Sequence, residues 1–140
     1  MASARERGPK THEAVTKGVR VRVTPTFMPE QSDAGRGQFT WSYAVEIENG
    51  GIQTVTLVSR HWTITDGKGR VQEAKGPGVV GQQPTLEPGA AFQYESACRL
   101  ETPTGSMAGA YQMVTQGGAG FDALIPSFDL PLAGADPRRH

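Results

Sequence analysis

Gly76-Pro77-Gly78-Val79-Val80-Gly81 has the G-x-G-x-x-G spacing of a dinucleotide-binding loop. In that role the loop follows a strand and opens a helix, whose free amides and dipole receive the pyrophosphate. Pro84 and Pro88 follow closely, and a proline inside a helix removes an amide and clashes with the preceding turn. No acidic residue stands where a βαβ unit would place its ribose ligand. A dinucleotide site is therefore not expected. Two readings of Gly76, Gly78 and Gly81 remain: a nest of backbone amides for a small anion or phosphate, or a plain turn that tucks Val79 and Val80 into the core. The turn is preferred.

Two arginines could serve such an anion, Arg60 and Arg70. Arg60 shares the parity of Trp62 and Ile64, so its guanidinium must reach solvent, find a carboxylate, or offer its donors to a ligand. The preferred reading lays its stem on Trp62 with the head at the sheet edge.

Other chemistry is poorly supplied. His12, His61 and His140 match no metal-ligand spacing, and no metal or other cofactor is expected. Ser106 lies in Gly105-Ser106-Met107-Ala108-Gly109, which is not a nucleophile elbow. Glu46 and Glu48 share one face of a strand, as solvated partners of Arg20 and its neighbours rather than an acid–base pair. Cys98 is the single cysteine, read as a small buried hydrophobe in a reducing, cytoplasmic setting. These residues suggest a chain that binds rather than catalyses.

The elements that must position these residues follow from patterning. A chain of 140 residues suits one domain, since single cores serve about 100–200 residues. Fourteen basic and fourteen acidic side chains cancel, which removes the positive field of a nucleic-acid binder and any pull towards anionic membrane. No apolar run approaches the roughly 20 residues of a membrane span. Residues 1–14 have no secretory apolar segment and are expected to be a disordered lead-in, with the domain over 15–132 and a frayed tail over 133–140.

Val19, Val21 and Val23 alternate with Arg20 and Arg22, the period of a half-buried strand. Pro25 implies a bend or a sheet edge. Phe39, Trp41, Tyr43, Val45 and Ile47 share one face of the next strand. A hairpin with Phe27 opposite Phe39 would set Arg20 against Glu46 and Val21 against Val45. Val55 and Leu57 differ in parity from Trp62 and Ile64, which predicts a bulge near Val58 to Arg60. Phe92, Tyr94, Ser96, Cys98 and Leu100 alternate again, and strands are expected over about Ala108 to Thr115 and Phe121 to Leu130, the last interrupted by Pro126. About seven short strands without an amphipathic helix predict an all-β, two-sheet sandwich of the immunoglobulin or fibronectin type III kind. A small β-barrel is the alternative.

Several segments together resemble the bacterial ApaG family. Arg60-His61-Trp62-Thr63-Ile64-Thr65-Asp66-Gly67-Lys68-Gly69-Arg70 looks like its first signature, and Gly76 through Pro84 is similar to its second. Pro88-Gly89, Tyr94 with Ser96, Thr102 through Met113, and Phe121 through Leu130 continue in order, so the resemblance covers roughly Val15 to Leu132. Ala97 stands where the family pattern would have glycine. The resemblance implies an immunoglobulin- or fibronectin-like sandwich, an association with cobalt and magnesium tolerance, and a gene neighbourhood shared with a diadenosine-polyphosphate hydrolase. Relatives at the ends of eukaryotic F-box and polymerase-interacting proteins imply an adaptor role. It carries over no catalytic residue.

The expected function is a non-catalytic module that binds another protein through a sheet edge or loop surface. The alternative is a binder of a small anion, phosphate or nucleotide at Gly76, Gly78 and Gly81 with Arg60 or Arg70.

Overall fold

The computed structural model describes residues 10–132. The expected lead-in over 1–9 and tail over 133–140 lie outside them. Nine strands form among the described residues: β1 (His12–Thr16), β2 (Val19–Phe27), β3 (Phe39–Asn49), β4 (Val55–Asp66), β5 (Val71–Pro77), β6 (Thr85–Leu86), β7 (Ala91–Leu100), β8 (Gly105–Thr115) and β9 (Gly120–Asp129). One sheet has the order β1-β2-β3-β7. The other runs β5-β4-β8-β9, with β6 also on β4, and all pairings are antiparallel. This is the expected two-sheet sandwich.

Its core follows the predicted parity. Val19, Val21 and Val23 from β2, Trp41, Tyr43, Val45 and Ile47 from β3, and Trp62 and Ile64 from β4 are all buried. The β4 ladder slips against β8 between Leu57 and Ser59, and this bulge carries the buried face from odd to even residues as predicted. Pro126 does not end β9: the β8–β9 register shifts between Met107 and Gly109, absorbing the proline in a second bulge.

Two expectations are corrected. The β2–β3 hairpin pairs Phe27 with Trp41, Val21 with Ile47 and Arg20 with Glu48, two residues away from the predicted register. Its connection closes tightly, with the Met28 amide donating to the Thr40 carbonyl at 2.9 Å and short 3-10 turns at Pro29–Gln31 and Ala34–Arg36. A two-residue slide preserves every face, and here it gains an ion pair: Arg20 meets Glu48 at 3.2 Å and Arg22 meets Glu46 at 2.9 Å. Second, His12 to Ala14 belong to β1 rather than to an unstructured lead-in, because Glu13 pairs across the strand with Arg20 and Arg22. The alternative of a barrel is not found, because the two sheets stay separate. Thr16 on β1 receives the Leu124 amide of β9 at 3.1 Å, and His12 stacks on Phe128, so the sheets meet along that side. On the opposite side β7 and β5 are edges with a cleft between them.

Candidate functional site

The cleft has a volume of about 490 Å³ and is lined by Tyr43, Trp62 and Ile64 on its floor, Tyr94, Ser96 and Cys98 from β7, and Val79, Val80 and Arg60 at one end. Alternation places the β7 side chains there, since even-numbered residues of β7 point between the sheets while Ala91, Gln93, Glu95, Ala97 and Arg99 are exposed.

Its tyrosine hydroxyls and its thiol are held protonated. The Tyr94 hydroxyl bonds that of Tyr111 at 2.5 Å. Burial pushes the Tyr94 hydroxyl up to about 12 and raises those of Tyr43 and Tyr111 as well. Burial likewise pushes the Cys98 thiol up to about 11, so little nucleophilic thiolate exists at neutral pH. A concave, aromatic-walled site that Arg60 and Arg99 also line suits recognition.

Of the residues singled out in the sequence, Arg60, Gly76, Gly78 and Gly81 come together and Arg70 does not. Arg60 donates to the carbonyls of Pro77 at 3.2 Å and Gly78 at 2.9 Å. Its guanidinium lies over Gly76, where a Cβ would sit 3.2 Å from it. The loop presents carbonyls, not amides, to this arginine. The Gly78 amide goes to Val58, and Val79 and Gln82 exchange backbone bonds at 2.8 Å each way. Between them Val80 and Gly81 have φ of 42° and 79°, the signature of a type I′ two-residue turn. Gly78, at φ 62°, is packed so closely that a Cβ would run into the Gln82 carbonyl. The turn reading is corrected in one respect: Val79 is buried, but Val80 sits at the turn's tip and is 56% exposed.

Arg70 lies at the other end of the β4–β5 ladder. Its Nε donates to Asp66 at 2.7 Å, and Asp66 also accepts the Lys68 and Arg70 amides at 2.9 Å. Burial alone would push the Asp66 carboxyl up, but these donors outweigh it and hold its pKa below the ordinary value. His61 pairs with Glu73 at 3.2 Å. Among the described residues no cluster of three or more His, Cys, Asp or Glu could hold a metal ion.

The tyrosines of the cleft were not singled out from the sequence. Their signal was the polar character of an otherwise apolar parity on β7: Tyr94, Ser96 and Cys98 replace the valines and isoleucines that a fully covered face would carry.

Strands β3 to β8, the glycine turn packed under Arg60 and the Asp66 turn all lie within the stretch that an ApaG domain model matches, residues 29–115. The chain belongs to the ApaG family. The ApaG protein of Caulobacter vibrioides is 56% identical over 124 residues, 89% of each chain, and that of Methylocella silvestris is 52% identical over 85% of this chain and 92% of its own. A crystal structure described as an ApaA protein of Bordetella pertussis superposes with a TM-score of 0.79 at 45% identity, covering 93% of this chain and 99% of that one. The names of these ApaG relatives specify no enzymatic activity. Ala97, where the ApaG pattern suggested glycine, is an exposed residue of β7 opposite Ser42, where a methyl group is easily accommodated.

Proposed function

We propose that this ApaG chain is a non-catalytic interaction module of the cytoplasm that binds another protein along the edge of β7. The observation that carries the reading is the state of that edge. The Asn49 amide donates to Ala90 at 2.9 Å and the Met28 amide to Thr40 at 2.9 Å, which fixes the alternation of the ladders. Even-numbered residues of β7 bond to β3, and the peptide groups of Ala91, Gln93, Glu95, Ala97 and Arg99 face outward. Among the described residues no strand pairs with them. The strand is ten residues long and contains neither proline, glycine nor bulge. An edge of that kind is an aggregation hazard unless something covers it, and extended peptides bind sheets in this way. β1 is covered by β9, and β5 is guarded by Glu73 and Lys75 and ends in Gly76-Pro77.

An association with cobalt and magnesium tolerance, which the ApaG resemblance implies, would act through the bound partner, because the described residues offer no cation cluster. The alternative of a small anion or phosphate on the Gly76–Gly81 loop has less support, since the Gly78, Val79 and Gln82 amides are already committed within the protein.

A photo-crosslinking residue at Gln93, compared with one at Leu124 on β9, tests the reading. A discrete protein adduct from position 93 is expected, with slowed amide exchange of Ala91 to Arg99 on addition of that purified protein. Equal adducts from both positions, or strong thermal stabilisation by pyrophosphate, ATP or a divalent cation in place of a protein adduct, would overturn it.

A further inference from the structure

The cleft beside β7 continues past Arg99. A second hollow of about 660 Å³ lies beyond the strand's end, bounded by Arg36, Lys68, Arg70 and Arg99 against the acids Asp66 and Glu101. Gln72 and Arg99 line both hollows, so the two form one groove with an aromatic floor and a basic end. Its acids do not cancel its cations. Asp66 and Glu101 both engage Arg70, at 2.7 and 3.4 Å. Among the described residues neither Lys68 nor Arg99 has a carboxylate within 4.0 Å, and the Arg99 Nε donates only to the Thr40 hydroxyl at 3.3 Å.

We infer that the segment received by β7 is an extended acidic peptide, which adds to the sheet as a further strand and carries its carboxylates to Lys68 and Arg99. This rests on the reading of β7 as a docking edge and names the chemistry of what docks. A strand added there has alternate side chains pointing inward, over Trp62 and Tyr94, where the cleft has room for them. The length matches: at about 3.3 Å per residue, eight to ten residues run the length of β7 and reach the basic end. The other rim gives a second, independent sign. Val80 is a β-branched residue at φ 42°, 56% exposed, in a turn position that favours asparagine or glycine. An apolar side chain held there against its backbone preference suits contact with a chain lying in the groove. A second copy of β7 could offer Glu95 to Arg99 but would bring nothing to Lys68, so it fits the groove less well.

The test is selection of a displayed library of random dodecapeptides on the immobilised chain, followed by synthesis of the enriched sequences. Alternating apolar residues leading to Asp or Glu are expected. Binding of a synthetic peptide should weaken at least tenfold when its acids become Asn and Gln, and at least tenfold in the Lys68→Glu/Arg99→Glu variant. It should be lost with Ala97→Pro, which removes an outward amide, and with a peptide N-methylated at alternate amides, which needs no altered protein. Peptides without acidic bias that are still lost on Ala97→Pro and on N-methylation would overturn the acidic inference alone. Peptides that tolerate both changes would overturn the docking edge as well. Failure to enrich any peptide, or sedimentation showing a dimer that Ala97→Pro dissociates, would also overturn the proposal.

Discussion

The hydroxyl of Tyr94 on β7 meets that of Tyr111 on β8 at 2.5 Å, a direct polar tie between the two sheets beneath the open cleft. Tyr111 is fully buried, so removing the Tyr94 hydroxyl strands that of Tyr111 in the core. Tyr94→Phe is expected to cost about 1–3 kcal/mol, and the Tyr94→Phe/Tyr111→Phe pair less than the sum of the singles, because the double variant leaves no orphaned hydroxyl. Urea melts of the four proteins measure the coupling.

The same pair sets an alkaline limit. Burial, moderated by the bond to Tyr111, raises the Tyr94 pKa from 10.0 to about 12. A raised pKa means that the folded state holds the proton more tightly than the unfolded chain. The stabilisation is complete below pH 10 and is lost as pH rises through about 12. Denaturant midpoints should fall across that interval, and fall less steeply in Tyr94→Phe.

Trp62 is buried against Tyr43 and Tyr111, with ring centroids at 5.0 and 6.3 Å. Truncation to alanine opens the floor of the cleft into the core. Trp62→Ala is expected to cost about 3–5 kcal/mol. A loss in urea melts below about 1 kcal/mol would contradict its place in the packing.

Arg20 faces Glu48, not Glu46. Both side chains are more than a third exposed to solvent, at 39% and 35%, so the pair's coupling should be only about 0.2–1 kcal/mol and should shrink in salt. A double-mutant cycle on Arg20 and Glu48 checks it, with Arg20 and Glu46 as the comparison that should give less.

That comparison marks how far the sequence could be read. Alternation identifies a face, and Trp41, Tyr43, Val45 and Ile47 are buried as alternation requires. It does not identify a register, because sliding β2 by two residues against β3 returns every side chain to the same face. The bulge at Val58 was legible because it breaks parity within one strand. The pairing of β7 with β3 joins segments some fifty residues apart, and neither strand's own pattern names the other. The cleft exists only through that pairing, so its tyrosines and its basic end were hidden while the glycine loop was conspicuous. β1 was overlooked because its five residues alternate weakly and depend on Arg20 and Arg22 for partners.

The loop that drew attention first yields the last prediction. Its glycines match a dinucleotide fingerprint, yet no helix follows, and the Gly78, Val79 and Gln82 amides already have protein acceptors. Calorimetric titration with NAD, ATP and pyrophosphate should therefore show no binding tighter than roughly 100 μM, about −5.5 kcal/mol. The backbone explains the glycines without a ligand: Gly78 and Gly81 have positive φ, and Gly78 has no room for a Cβ. Val80 is the residue that the turn does not favour, at φ 42° beside Gly81. Val80→Asn creates the Asn-Gly pair preferred in a type I′ turn and should raise stability by about 1 kcal/mol, seen as a higher urea midpoint at unchanged m-value. If Val80 is kept for contact with a bound chain, the same substitution should weaken peptide binding while the fold becomes more stable. A variant that loses stability would show that Val80 packs against the protein itself, and the strain assigned to it would be wrong.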